Sequence, residues 1–351
     1  MKVGVFLGGG DPGSMQLAIE ADRLGVDSAW MPEFWAHDAL TPLAYLAGRT
    51  SSIRLGTAIV QVGARSPAML AMSSMSMQAL SGGRFILGIG ASGPQVMEGW
   101  HGVPYGSPLR TTRETIEIIR TVASGDRLDY DGQVYQVPLS GGAGRPMRSA
   151  ASPVDIPIYV ASLGPRNLEL TGELADGWIG NSFLPEHAEV FLSHLRAGAT
   201  GAGRSLAELD LCIPVAVEFT DDVEGAGRRH ADGYAFTIGA MGSATQNFYN
   251  DAFARQGYAD DVAEVQRLWR AGEREQAAAR VPLELGLQTN LLGTADMIAE
   301  RVRLYRQAGV TTLLAKLGGD ADERLANLEQ LLEVVGATAE QTKAPQTPQH
   351  P

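Results

Sequence analysis

Cysteine is all but missing from this chain of 351 residues, and the single one, Cys212, excludes an internal disulfide and any zinc or iron–sulfur site built from cysteine alone. A reducing cytoplasm is the expected compartment. The six histidines form no HExxH or HxH pair, so the sequence gives a metal no support. Basic residues are outnumbered, 28 Lys and Arg against 40 Asp and Glu, and the net charge of −12 repels nucleic acid and anionic membranes. Small molecules and other proteins remain as partners, and an anionic ligand must be captured locally. No run of about 18 apolar residues is available to span a bilayer. The apolar stretch Val3–Leu7 is cut off by Gly8, Gly9 and Gly10, too early for a signal peptide. Gly-x-Ser-x-Gly is absent, which removes the usual elbow of a serine nucleophile.

What is present is alternation. Eight short, nearly continuous apolar runs, at about 2–7, 27–31, 53–60, 84–89, 157–161, 177–181, 211–218 and 311–316, are separated by stretches of helical period. Continuous apolar character fits strands covered on both faces, and the alternation fits parallel βα units. Ser14 is placed to cap the first helix and Gly25 to end it. Thr41-Pro42 and Ser66-Pro67 read as capping hydroxyls followed by proline at the first helical position. Gly82-Gly83 closes the third helix, and Gly164-Pro165 and Thr294 start later ones. Two insertions interrupt the rhythm: a small hairpin at 127–138 followed by a loop at 139–155, and an Ala-rich helical segment at about 220–290 before the last strand. Residues 337–351 have few apolar groups and read as a disordered tail. Eight such units favour a single (β/α)8 TIM barrel over residues 1–336, with its site at the carboxyl ends of the strands.

Those ends are rich in glycine and small polar residues: Gly8 after the first run, Ala58, Ile59, Val60 and Gln61 after the third, Gly90, Ala91, Ser92 and Gly93 after the fourth with Gln95 just beyond, Ser162, Leu163, Gly164 and Pro165 after the fifth, and Asn181 after the sixth. Such residues let backbone N–H groups approach a flat ring or a phosphate. Residues 88–93 match G-x-G-x-x-G, but Pro94 follows and no strand ending in an acid comes about twenty residues later, so a barrel loop fits better than a dinucleotide fold. Residues 161–166 offer either an anion site at a helix start or an ordinary turn. Glu33, Trp35, His37 and Asp38 cluster after the second run: Glu33 and His37 are candidate proton carriers, with Asp38 capping the approach to the next helix and His37 solvated as the alternative. Glu98, Trp100 and His101 read as structural, Trp100 sealing a core edge.

Several segments, in order, carry a resemblance: GVDSAWMPE, ALTPLAYLAGRTSSIRLGTAIVQVGARSPAMLA, ALSGGRFILGIGASGPQVMEGWHG, IPIYVASLGPRNLELTGELADGWI and AGVTTLLAK. Over about residues 1–335 the chain resembles the luciferase-like monooxygenase superfamily, and within it the deazaflavin reductases related to methylenetetrahydromethanopterin reductase. The resemblance implies a dimeric barrel with the ring of coenzyme F420, or alternatively FMN, in its mouth. It also implies a non-proline cis peptide at Ala58–Ile59, with Glu33 near the ring and 90–93 and 162–164 around ring edge and phosphate. The related sugar-phosphate dehydrogenases carry a histidine where Phe34 stands and a glutamate near Gly93, so reduction of a C=C, C=N or C=O group fits better than sugar oxidation. A flavin monooxygenase and an inactive binding homologue are the alternatives.

Overall fold

The structure, a computed structural model, describes residues 1–241 and 247–343, the last four of these by backbone alone. Eight parallel strands close a ring: β1 (Lys2–Phe6), β2 (Ser28–Met31), β3 (Arg54–Thr57), β4 (Phe85–Gly90), β5 (Ile158–Ala161), β6 (Gly177–Ile179), β7 (Asp210–Phe219) and β8 (Thr312–Leu317), with β8 pairing back onto β1. An open sheet is thereby excluded, and the expected TIM barrel stands. Alternate residues of each strand face the helices or the lumen. Outward side chains such as Val5, Leu55, Leu87 and Leu313 form the main core under the helices. Inward ones, Trp30, Ile86, Tyr159, Ile179, Cys212 and Leu314, form a separate cluster in the lumen.

The lumen is filled by setting large side chains against glycine. A Cβ on Gly56 would lie 2.4 Å from the Trp30 ring, and one on Gly177 would lie 2.7 Å from Tyr159. Trp30 and Tyr159 meet with centroids 5.6 Å apart, and Trp30 Nε1 donates to Ser28 Oγ at 2.9 Å. Below them, at the amino end, Asp210 collects hydrogen bonds from Tyr159 OH (2.9 Å), Thr312 Oγ1 (2.7 Å) and Thr311, and faces Lys2 and Arg54, each at 3.6 Å. This polar layer closes the floor.

The hairpin is present as Tyr130–Asp131 paired with Gln136–Val137, and the insertion between β7 and β8 is helical from Val223 to Gln288 within the described residues. One strand was not expected: Leu291–Gly293 pairs with the upper part of β7. It stands where β6 has run out, since β6 reaches β7 only as far as Cys212. Pro214 shares the parity of Cys212, so its missing N–H falls on this side, in a gap of the ladder where it costs no hydrogen bond.

Local signals hold in part. Ser66 caps its helix, Gly82 ends it with φ +66°, Thr294 caps Ala295–Gln307, and Gly164-Pro165 opens Pro165–Leu174. The cap of the first helix is Asp11, not Ser14: Asp11 accepts from both the N–H and the hydroxyl of Ser14. The carboxylate starts the helix three residues sooner and takes the N–H of Ser14 itself, which leaves Ser14 inside the first turn. Thr41 likewise lies inside Leu40–Ala47, with Asp38 accepting its N–H at 2.8 Å. The last helix runs Ala321–Lys343, so residues 337–343 are helical rather than tail, and Thr338 is buried. Residues 344–351 of that expected tail lie outside the described residues.

The Asp210 cluster makes a test of the barrel floor. Burial opposes its charge, but the Thr311 and Thr312 hydroxyls and Lys2 hold its carboxyl below the usual range. A depressed folded pKa stabilises the fold above about pH 3.9, the unfolded value, and that contribution vanishes as pH falls through the folded one. Asp210→Asn is expected to lower the urea unfolding free energy by about 3 kcal/mol and to flatten this acid limb. A loss of under about 1 kcal/mol would show that the layer contributes only as an exposed pair does.

Candidate cofactor site

The mouth is shaped first by a bulge in β3. Gly56 pairs with Ile86 and Val60 with Ile89, offsets of 30 and 29, so β3 carries one extra residue between these points. Thr57 fills the interrupted ladder with its side chain: Oγ1 donates to Gly88 O at 2.7 Å and accepts from Gly88 N at 2.8 Å. Only glycine fits at 88, where a Cβ would lie 1.8 Å from Thr57 O. The extra residue falls in the Ala58–Ile59 step, whose peptide is cis. Ile59 then leans toward Gly90, where a Cβ would come within 3.0 Å of it. Ala58, Ile59, Gly90 and Ala161 are thereby brought to one wall of the mouth.

Other expected site residues are placed as follows. Val60 and Gln61 are buried, and Gln61 Nε2 donates to Glu33 O at 2.7 Å while Oε1 finds no partner. Ala91, Ser92 and Gly93 line the edge, Ser92 with φ +57° and its carbonyl accepting from Tyr105 OH. Gln95 is exposed on the short helix Pro94–Met97, and Gly8 is exposed at the end of β1. Ser162 is buried and its Oγ meets Thr171 Oγ1 at 2.8 Å; since Thr171 gives its own proton to Asn167 O, Ser162 is the donor. Gly164 and Gly93 have open space where a Cβ would project. Asn181 accepts from Ser182 N with Oδ1.

Two readings change. The carboxylate of Glu33 is held in a fork by Arg65, Nη1 and Nη2 each at 2.7 Å, and also accepts Ala39 N–H at 3.1 Å. With both oxygens taken and the side chain 5% exposed, Glu33 positions the loop 33–39 and is not a free proton carrier. His37 is exposed on that loop, over Gly9 and Gly10. Trp100 is 63% exposed and seals nothing, because the chain after Met97 leaves the barrel wall.

Sequence reasoning passed over Arg65, Arg255, Gln256 and Lys316. Arg65 lies 32 residues from Glu33, and no local pattern links them. Arg255 and Gln256, from the helical insertion, donate to Leu163 O and Ser182 O, which ties that insertion down over the ends of β5 and β6. Lys316 was legible by parity: in Thr312, Leu314, Lys316 every second residue faces the lumen. A cavity of about 690 Å³ between Arg120, Asp155, Asp176 and Arg204 lies at the amino ends of β5 and β6, away from all of these residues. A smaller one, about 380 Å³, adjoins Ala91 and is lined by Met97, Tyr105 and Tyr135.

Known proteins share this architecture. The chain is 36% identical, over 91% of its length and 95% of the relative's, to Rv3520c of Mycobacterium tuberculosis, a supposed coenzyme F420-dependent oxidoreductase. The coenzyme F420-dependent tetrahydromethanopterin reductase of Methanopyrus kandleri superposes with a TM-score of 0.78 at 22% identity, covering 95% of this chain and 98% of that one. A secondary alcohol dehydrogenase bound to an F420–acetone adduct gives 0.74 at 17% identity, over 95% and 98%. At such identities the two structures speak for the fold alone. The luciferase-like monooxygenase model matches residues 12–312, and with a relative of this identity and coverage the chain belongs to that family.

Proposed function

We propose that the chain is a coenzyme F420-dependent oxidoreductase acting on a small organic substrate, with the deazaflavin seated on the β3–β6 side of the mouth. One observation carries the reading. Of the six buried side-chain polar atoms left without a partner among the described residues, three, in Gln61, Asn167 and Ser182, belong to the segments that directly follow β3, β5 and β6. Buried polar atoms are almost always satisfied, so a row of orphans along one rim fits a ligand with polar edges. Gly93 and Gly164 leave that rim open where other residues would obstruct it.

When bound, reduced deazaflavin supplies a hydride; the protein supplies position, polarity and exclusion of water. Gln61 offers Oε1 as an acceptor, its amide fixed by the bond to Glu33 O. Gly164 begins Pro165–Leu174 and presents free N–H groups at a helix start, suited to a phosphate. Arg255 and Gln256 hold the helical insertion over the rim and so limit water. His37 remains the candidate proton carrier.

The expected homodimer has support in an apolar stripe, Met69, Met72 and Leu80, on Pro67–Ser81, with Tyr45 exposed on the preceding helix. Among the described residues no helix is long and apolar enough to cross a membrane.

Titration of oxidised coenzyme F420, followed by its fluorescence, is expected to saturate with a Kd of about 1 μM or tighter. FMN binding about a hundredfold better would instead assign a flavin enzyme, and no saturable change with either a binding homologue. Gly164→Val keeps a permitted backbone, since φ is −77°, and its Cβ would have no protein atom within 4 Å. It should lower the melting temperature only slightly, valine being a poorer cap than glycine, and weaken cofactor binding about tenfold or more; unchanged affinity would move the cofactor elsewhere. Met72→Glu with Leu80→Glu should shift sedimentation from dimer to monomer, and a wild-type monomer would remove the dimer from the reading.

A further inference from the structure

Opposite the glycine-lined wall stands a cation that no carboxylate of the described residues neutralises. In a ring of eight strands β8 lies four places from β4, so Lys316 faces Gly90 and its neighbours across the mouth. It sits one inward step above Leu314 of the lumen cluster, in register with Phe6 on β1 and Ala216 on β7. Its ammonium lies 5.2 Å from the centre of the Phe6 ring, a cation–π contact that leaves its hydrogen-bonding capacity unused. No carboxylate of the described residues comes within ion-pair distance of it. The acid on the same face, Glu218, is taken by Arg229 at 2.5 Å and by His230 at 3.4 Å. The Lys316 side chain is exposed to solvent, while nearby protein desolvates its ammonium and lowers its pKa.

An ammonium without a counter-ion among the described residues offers an anionic ligand the local attraction that a chain of net charge −12 otherwise denies it. The composition sharpens the point: three of the 28 basic residues are lysine, Lys2, Lys316 and Lys343, and the other 25 are arginine. We propose that Lys316, standing on Phe6, is the substrate-anchoring cation of this mouth, and that the substrate is a small unsaturated or aryl carboxylate whose apolar body lies between Phe6 and the glycine-lined wall. The carboxylate end pairs with the ammonium; the body is thereby held toward β3–β4. The proposal names the substrate class for the function proposed above and rests on that reading for what occupies the facing wall.

Three lysines make the test direct. After reductive ¹³C-methylation, which retains the charge, the protein shows three lysine signals and that of the amino terminus, and Lys316→Arg identifies the one of interest. Cinnamate should shift that signal saturably and cinnamamide should not. By calorimetry Lys316→Met should weaken cinnamate binding about tenfold or more, and Lys316→Arg should stay within about threefold of wild type. An unmoved Lys316 signal, equal binding by Lys316→Met, or equal binding of the amide overturns the proposal. Coenzyme F420 titrated into the same proteins separates the two claims. Its affinity should be unaltered in Lys316→Met, and a loss there would make Lys316 a cofactor contact and end the proposal. Cinnamate binding at Lys316 in a protein that binds no F420 would sustain the anchor and remove the cofactor.

Discussion

Packing of two aromatic rings against glycine in the lumen is the contact from which the rest of the architecture takes its shape. Trp30 occupies the space that a Cβ on Gly56 would need, and Tyr159 does the same to Gly177. A barrel of eight strands has an interior that side chains must fill, and here the filling is uneven along its axis. Ion pairs and hydroxyls around Asp210 close the bottom, and the rings take the middle. The top layer is left to Ala58, Ala161, Gly90, Phe6 and Lys316. A large residue at any of the first three would complete the core and abolish the mouth. The hollow is thus a consequence of where the small residues fall.

The same economy of side chains explains the bulge. Without the Thr57 hydroxyl, the extra residue of β3 would leave Gly88 with unpaired backbone groups inside a closed sheet, where water cannot replace them. Thr57 satisfies both, so β3 can bend Ala58 and Ile59 over the lumen while β4 continues straight to Gly90. Glu33 and Arg65 perform a related service one strand away. Their buried fork holds the loop after β2 and orients Gln61 through Glu33 O. Removing either partner strands a charge away from water, which is why such a pair fixes a loop more firmly than an exposed one.

The two walls of the mouth differ in chemistry. The β3–β6 side offers backbone, glycine and unsatisfied acceptors, a surface suited to a flat polar group. The β7–β1 side offers an aromatic ring and an ammonium. The helical insertion reaches down to the first of these through Arg255 and Gln256 and carries Arg229 and His230 toward the second. A segment anchored to both walls is placed to link what binds on one to what binds on the other.

The sequence pattern located seven of the eight barrel strands to within a residue or two, the two insertions and several caps, because burial on both faces and helix starts leave their mark on neighbouring residues; the third run, expected to 60, breaks after Thr57 at the bulge. The pattern missed Leu291–Gly293, since three residues carry no period, and it misjudged Ser14 and Thr41, since an acid three residues earlier accepts the N–H of each and places it inside the first turn. The glycines at the strand ends were visible, and the family pattern located the cis step. What only the tertiary structure decided were relations between distant residues: Glu33 with Arg65, Thr57 with Gly88, the insertion with Leu163 and Ser182, and Lys316 facing Gly90. Closing a ring of strands sets residues hundreds of positions apart at one rim, and that distance leaves no trace in the order of the chain.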